Sequence, residues 1–307
     1  MTEQTLTNAT TGQVVESRFA ALGVKHGFDP LTPERASIVV LGWSGDGKTT
    51  WVSSIPRCLI IEFSDSAGSV VGAKAHRIRV LTWAEYDALR TLLLTSKKDG
   101  SCPYDTIAID TGDEWFDILA EKVISDYNKI GKHADAHNIG DVGQNGAGYG
   151  DVGDLMEKEL RGLQAGGFGW VFTGHLREKD VEVEMGGVKK TSTVIRPVLT
   201  QSSARHVVRM AYIKAQIIDV PVLVDMRPNA AGKLIPIPTD RMEKFLRVTT
   251  TQADEEIKKK LHHLPDRIPF PRLGAWDIFT AEWTKAVARG QAEEASLRPT
   301  PGATATK

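Results

Sequence analysis

The sequence predicts an α/β fold in which a mostly parallel central sheet is flanked by helices, with a β-hairpin in the C-terminal part. Three observations predict it. Short apolar runs alternate with longer segments of helical spacing across residues 38–173. A glycine-rich turn joins the first of these runs to a helix. After Gly174 the pattern changes to paired strands separated by a short turn.

The alternating elements follow one another in a regular order. The predicted strands are Ile38–Leu41, Cys58–Phe63, Arg77–Thr82, Tyr104–Asp110 and Gly169–Thr173. The predicted helices are a short one from Thr49, ended by Pro56, and then Trp83–Ser96, Trp115–Ile130 and Val152–Leu163. Strands that alternate with helices are typical of βαβ units, and these units build parallel sheets.

One segment and the C-terminal part depart from this alternation. Asn138–Gly153 contains six glycines and is interpreted as either a mobile loop that orders on ligand binding or a plain surface insertion. Further along, the predicted strands are Val181–Glu184, Lys189–Ile195, Val207–Ile218 and Val222–Met226, and the predicted helices are Asp254–Leu261 and Trp276–Ala288. We therefore expect a flexible N-terminus at 1–15, a core at 16–250, a helical extension at 251–289 and a disordered tail at 290–307.

The composition narrows the classes of protein. The chain has 307 residues with a formal net charge of -1, so any contact with nucleic acid requires a local basic surface. The two cysteines, Cys58 and Cys102, have no metal-ligand partner at short spacing. The chain has neither an apolar run long enough to span a bilayer nor a signal-peptide pattern, and we expect a cytoplasmic protein.

The most specific motif predicts a phosphate-binding loop. Residues 42–49 read Gly-Trp-Ser-Gly-Asp-Gly-Lys-Thr directly after the first apolar strand, which is the full Walker A pattern. Glycines let backbone N–H groups converge on phosphate oxygens, and the following helix directs its positive end at them. We expect ATP as the ligand. The expected nucleotide-binding residues are Gly42, Ser44, Gly45, Asp46, Gly47, Lys48, Thr49 and Thr50.

Acidic and polar residues at other strand ends predict the chemistry around this loop. The Thr49 hydroxyl and the Asp110 carboxylate are expected to hold Mg²⁺. Glu62, Asp65 and Glu114 are three candidates for the carboxylate that orients the attacking water, and the residues do not choose among them. His175 follows a strand end, where its ring is expected to contact the γ-phosphate or the attacking water.

These motifs, in this order, resemble the RecA-like ATPases, and more closely the small phage-encoded members linked to single-strand annealing and homologous recombination. The resemblance covers Ile38 to Ile218 and rests on residues 42–50, on Tyr-Asp-Thr-Ile-Ala-Ile-Asp-Thr at 104–111 and on Phe-Thr-Gly-His at 172–175. It implies a RecA-like core, with His175 as the γ-phosphate sensor. It also implies a catalytic glutamate just after the second strand. There this chain has Ser64, so Glu62 and then Asp65 are the preferred candidates.

The same resemblance implies that loops after the Walker B and sensor strands contact DNA. Residues 187–214 contain six lysines and arginines and no acidic residue, which indicates a track for a phosphate backbone. The alternatives are a solvated hairpin face or a basic edge, with Arg205 or Arg209, that meets a neighbouring subunit's nucleotide. The DNA-binding candidates are Lys189, Lys190, Arg196, Arg205 and Arg209.

The leading interpretation is an ATPase that acts on single-stranded DNA in phage recombination, annealing or replication. It would work as a homo-oligomer, and its location would be the host cell cytoplasm. The alternatives are a nucleoside or nucleotide kinase, although the sequence contains no compact arginine lid, and an ATP-binding assembly factor that does not turn over. An Asn-Lys-x-Asp guanine-reading motif is missing, which counts against a GTPase.

Overall fold

The fold is seen in a computed structural model, which describes residues 31–64, 70, 72–130, 135–185, 188–228, 233–248 and 261–297. Its centre is a nine-stranded, mostly parallel sheet flanked by helices, as the sequence predicts. The strands are β1 (Ser37–Gly42), β2 (Cys58–Glu62), β3 (His76–Arg79), β4 (Thr106–Asp110), β5 (Gly169–Met185), β6 (Val188–Pro197), β7 (Ile213–Pro228), β8 (Leu234–Arg247) and β9 (Arg267–Pro269). Their order across the sheet is β3-β2-β4-β5-β1-β7-β8-β9, and β6 pairs with β5 outside this path.

Six helices of four or more residues accompany the strands in the described ranges. They are α1 (Lys48–Ser53), α2 (Trp83–Asp99), α3 (Gly112–Lys129), α4 (Ala147–Ala165), α5 (Gln201–Met210) and α6 (Ala275–Leu297). Local sequence explains their ends: Thr82 and Glu85 form a capping box before α2, and Gly100 closes that helix in the left-handed conformation.

The core lies in two layers, one on each face of the sheet. Successive residues of β1 point to opposite faces: Val39 and Leu41 join the layer under α2, α3, α4 and α5, while Ile38 and Val40 join the layer under α1 and α6. All six residues of β1 are buried. A strand buried on both faces is typical of a central parallel strand, which explains its continuous apolar run.

The parallel strands bring the predicted site residues to one edge of the sheet. Strand β1 pairs with β5 on one side, where Gly42 lies opposite His175, and with β7 on the other. Strand β4 pairs with β2, where Asp110 lies opposite Glu62. The carboxyl ends of these strands therefore meet, and an open α/β sheet binds its ligands at that edge.

Two antiparallel hairpins extend the sheet beyond this edge. One is formed by β5 and β6, which pair from Leu176–Pro197 to Met185–Val188 and match the predicted hairpin. The other is formed by β7 and β8, after which β9 pairs with β8. The hairpins thus begin on either side of the loop that follows β1.

Several elements differ from the sequence prediction. Residues 207–210, predicted as strand, belong to α5, whose apolar Val207 and Met210 are buried and whose other face is polar. Part of the glycine-rich segment is regular secondary structure: a 3-10 turn at Ile139–Asp141 precedes α4, which begins at Ala147. Helix α6 continues to Leu297, within the stretch predicted to be a disordered tail. The helix predicted at Asp254–Leu261 lies outside the described residues except for its last residue.

The described ranges also bear on three further features: membrane-spanning helices, metal-binding clusters and paired cysteines. None of their helices has both the length and the apolar character that a bilayer crossing requires. They contain no group of three or more His, Cys, Asp and Glu side chains suited to a metal ion. Cys58 and Cys102 are both free and buried.

Candidate functional site

The phosphate-loop motif lies between β1 and α1, at the carboxyl edge of the sheet. Gly45 and Gly47 have φ angles of 83° and 93°, which side chains with a Cβ rarely adopt. A Cβ on Gly42 would lie 3.0 Å from the Asp46 Oδ2 atom, so a side chain at the start of the loop would press against Asp46. The sequence therefore folds here into a tight turn that leads into a helix N-terminus.

Lys48 closes this loop through its own ammonium group. Its Nζ atom donates hydrogen bonds to the carbonyl oxygens of Gly42, at 3.0 Å, and Trp43, at 2.9 Å. The side chain is buried, and this burial lowers the pKa of Lys48, while Asp46, Asp110 and Asp113 act in the opposite direction. A triphosphate would offer the ammonium charged acceptors, which bind more strongly than neutral carbonyls.

Asp46 fastens the loop from within and from the C-terminal part of the chain. Its Oδ2 atom accepts a hydrogen bond from the Trp43 backbone N–H at 2.6 Å. Its Oδ1 atom accepts one from Lys244 on β8, also at 2.6 Å, and Lys244 additionally contacts Asp219 on β7. A strand outside the motif therefore holds the loop in place.

The two predicted magnesium ligands lie side by side. The Thr49 hydroxyl donates to the Asp110 Oδ2 atom at 2.8 Å, and the Thr173 hydroxyl donates to Oδ1 of the same carboxylate. Asp110 is 5% exposed. A hydroxyl and a carboxylate suit Mg²⁺, which takes one or two protein oxygens and completes its shell with phosphate oxygens and waters.

The three candidate carboxylates have different surroundings. Glu62 forms an ion pair with Arg77, and burial raises the pKa of its carboxyl, with Arg77 opposing this rise. The Glu114 Oε2 atom lies 3.5 Å from the Thr111 backbone N–H and belongs to the capping box of α3. Asp65 lies outside the described residues. Glu62 is thus at the expected strand end, but it already has a cationic partner.

His175 has a carboxylate partner that the sequence analysis did not identify. The Asp113 Oδ2 atom accepts hydrogen bonds from the His175 backbone N–H at 2.8 Å and contacts the ring Nδ1 atom at 3.0 Å. Asp113 lies in the first turn of α3, close enough to Lys48 to affect its pKa. The signal available in the sequence was its position three residues after Asp110, the acid that ends β4.

Comparison with known proteins agrees with this geometry. A family model described as an AAA domain matches residues 34–217, from the turn before β1 to the pairing region of β7. The chain belongs to this AAA domain family. No curated protein matched the chain. An AAA domain is a P-loop ATPase domain, so the strand, loop and helix at residues 37–53 are its nucleotide-binding part.

The predicted DNA-binding residues lie on two elements of the chain, α5 and β6. Arg205 and Arg209 are on α5, where Arg209 forms an ion pair with Glu157 of α4 and Arg205 is exposed. Arg196 is exposed on β6. The backbones of Lys189 and Lys190 pair within the hairpin, while their side chains lie outside what the structure describes.

The hairpin of β5 and β6 separates its charges by face. Cross-strand partners share a face, and Arg177 lies directly opposite Arg196. Lys179, two residues further along β5, has the same orientation as Arg177. Glu178, Asp180 and Glu182 alternate with them and point to the other face, where the Asp180 carboxylate accepts a hydrogen bond from Thr193 at 2.7 Å. The sequence prediction counted charges only over residues 187–214 and therefore missed Arg177 and Lys179 on β5.

Proposed function

We propose that this AAA domain protein is an ATPase that binds single-stranded DNA through the basic face of its β5–β6 hairpin, defined by Arg177, Lys179 and Arg196. The proposal places it in phage recombination, annealing or replication, as a homo-oligomer in the host cytoplasm. One observation carries the DNA assignment: two arginines face each other across the hairpin without an opposing acid.

The energetic argument concerns the Arg177–Arg196 pair. Residues directly opposite on an antiparallel ladder have Cβ atoms about 5 Å apart, and like charges at that spacing are destabilising. Both side chains are exposed, and among the described residues neither guanidinium has an ion-pair partner. A phosphate backbone would supply the missing negative charge, and arginine binds phosphate in a bidentate manner.

The nucleotide end of the proposal uses the chain's own side chains. Lys48 binds the phosphates, and Thr49 and Asp110 hold Mg²⁺, which neutralises developing charge on the transferred phosphoryl group. Glu62, or Asp65 beyond it, orients the attacking water, and His175 senses the γ-phosphate. His175, Arg177 and Lys179 are every second residue of β5 and therefore share one face of the strand. A movement of His175 at the phosphate would be passed along β5 to the basic face.

The test is binding of a fluorescent single-stranded oligonucleotide over a range of salt concentrations. The double variant Arg177→Ala, Arg196→Ala should bind more weakly and should reduce the slope of log affinity against log salt by about 1.4, the loss of two single-strand phosphate contacts. The matched control is Arg289→Ala, which removes an exposed arginine of α6. A double variant with unchanged affinity and slope would contradict the DNA assignment.

A second candidate function is an ATP-binding assembly factor that switches without turnover. The ion pair between Glu62 and Arg77 favours it, because a carboxylate oxygen that already bonds to a guanidinium is less available to orient an attacking water. The ATPase rate with and without single-stranded DNA separates the two functions. Stimulation by DNA supports the ATPase, whereas tight ATP binding without hydrolysis supports the switch. Phosphorylation of an added nucleoside would indicate the kinase alternative instead.

A further inference from the structure

A cavity of about 630 Å³ lies beside the phosphate loop and is shared by two distant parts of the chain. One wall is the loop, helix α1 and residues 72–74, and the other is the segment Phe270–Gly274 together with Lys244. We propose that this cavity holds the nucleoside of the bound nucleotide, an inference that rests on the proposed binding of triphosphate at Lys48. The C-terminal segment, beyond the AAA domain match, would then be part of the nucleotide site.

The position of the cavity follows from the two sides of α1. The Thr49 hydroxyl bonds to Asp110 at the end of β4, where the terminal phosphate and Mg²⁺ are expected. Gly47, Thr50 and Trp51 line the cavity, and their spacing of three and four residues places them on one side of the helix start. Neither Thr49 nor Asp110 lines the cavity, so the space for the nucleoside and the expected place of the terminal phosphate are separate but share the same loop.

The C-terminal wall is held firmly against the loop. Phe270 is 4% exposed, and its ring edge would lie 3.8 Å from a Cβ placed on Gly47. Its backbone N–H donates to the Lys244 carbonyl at 2.8 Å, while the Lys244 ammonium bonds to Asp46 inside the loop. Lys244 therefore connects the C-terminal wall to the phosphate loop.

The lining has the chemistry of a ligand pocket. Phe270, Pro271 and Leu273 provide apolar surface for a base, and Leu273 is 69% exposed, so it has surface left to cover. The Ser53 side chain is completely buried, and its hydroxyl has no hydrogen-bond partner among the described residues. Mostly apolar walls with a few polar groups, within a volume of about 300–1,000 Å³, are typical of small-molecule sites.

The experiment compares two ligands that differ by the nucleoside. Calorimetry would measure the affinity of a non-hydrolysable ATP analogue and of inorganic tripolyphosphate, each with Mg²⁺. Leu273→Ala should weaken the ATP analogue about tenfold, the loss expected when one leucine contact is removed, and should leave tripolyphosphate within about twofold. Its matched control is Leu92→Ala, which removes an exposed leucine of α2 far from the cavity.

A second variant keeps the proposal open to refutation. Ala73 is exposed at the cavity wall, so Ala73→Trp should fill the space and weaken the ATP analogue, whereas Ala84→Trp on α2 should not. If both cavity variants retain the wild-type affinity for the ATP analogue, the nucleoside assignment is wrong. Failure of the phosphate site itself is distinguishable, because Lys48→Ala would then retain binding of both ligands.

Discussion

Asp110 is the residue that links several elements around the phosphate loop. Its two oxygens accept hydrogen bonds from Thr49 at the start of α1 and from Thr173 of β5, so one carboxylate connects β4 with both of these elements. The neighbouring Asp113 carboxylate accepts a hydrogen bond from the backbone N–H of His175. The two carboxylates at this sheet edge therefore orient the side chains of Thr49, Thr173 and His175 by hydrogen bonding.

The contact between Asp113 and His175 gives a testable role to Asp113 as a positioning residue. Asp113→Asn should lower kcat for ATP hydrolysis by at least about tenfold, a small part of the factor that a correctly oriented histidine can contribute. The affinity for ATP should change little, because Lys48 and the loop remain. Steady-state kinetics with parallel calorimetry would measure both.

The control for this variant is Asp117→Asn, one turn further along α3 and exposed. If ATP affinity falls by the same factor as kcat, or if the variant loses thermal stability, Asp113 has a purely structural role. Unchanged turnover in Asp113→Asn would remove it from the mechanism.

Single residues were predictable to the extent that their role is local. Lys48 and Thr49 belong to a motif with fixed spacing, and Asp110 ends an apolar strand, so neighbouring residues alone indicate their chemistry. The ion pair of Glu62 with Arg77 joins β2 to the start of β3, and the contact of Asp113 with His175 joins residues 62 positions apart. Such pairings depend on strand order, which no local pattern contains.

At the scale of elements, α5 is attached to α4 by a cluster around one carboxylate. Glu157 accepts hydrogen bonds from His206 at 2.8 Å and from Arg161, and it forms an ion pair with Arg209. These partners, His206 first, lower the pKa of Glu157 to about 2. The side chain is 11% exposed, so its charge depends on these partners more than on water.

The lowered pKa predicts a pH dependence of stability with a definite sign. A carboxyl whose pKa is lower in the folded state stabilises the fold at pH values above its unfolded pKa, near 4.5. That contribution should be lost as pH falls from about 4.5 toward 2. At pH 7, Glu157→Gln should therefore lower the free energy of unfolding by about 2 kcal/mol and should unfold at a lower denaturant concentration.

The measurement is urea unfolding of wild type and variant at several pH values. The difference between the two proteins should shrink below pH 4.5. Glu121→Gln, an exposed carboxylate of α3, is the control and should show almost no difference at any pH. A pH-independent difference for Glu157→Gln would mean that the loss comes from packing and not from charge.

The same elements show where sequence patterns fail. The apolar residues of 207–218 suggested a strand, but residues 207–210 form the last turn of α5, in which Val207 and Met210 are buried at helical spacing together with Ser203. The glycines of α4 suggested a loop, yet Gly148 and Gly153 lie where a Cβ would collide with the Ile139 carbonyl at 2.4 Å and the His206 ring at 2.9 Å. Those glycines permit close packing, which composition alone does not distinguish from mobility.

At the scale of the whole molecule, the phosphate loop lies between two parts that the sequence did not connect with it. The β5–β6 hairpin begins where β5 lies beside the loop, since His175 is opposite Gly42. On the other side, Lys244 of β8 donates a hydrogen bond to Asp46 of the loop. A change at the phosphates can therefore act on a basic surface through β5 and on the C-terminal segment through β8.

This arrangement predicts reciprocal coupling between ATP and DNA. If the γ-phosphate moves His175, and β5 transmits that movement to Arg177 and Arg196, a non-hydrolysable ATP analogue should tighten binding of single-stranded DNA. Thermodynamic linkage then requires DNA to tighten binding of the analogue by the same factor, expected to be about 5- to 150-fold. Both affinities can be measured on the same protein at one salt concentration.

Two variants separate the ends of this linkage. Lys48→Ala should bind DNA with the affinity of the nucleotide-free wild type and should not respond to the analogue, because only the phosphate site is lost. The Arg177→Ala, Arg196→Ala double variant should bind the analogue normally but gain nothing from DNA. If the two coupling factors of the wild-type protein are both close to one, the loop and the hairpin act independently, and the proposed transmission along β5 does not occur.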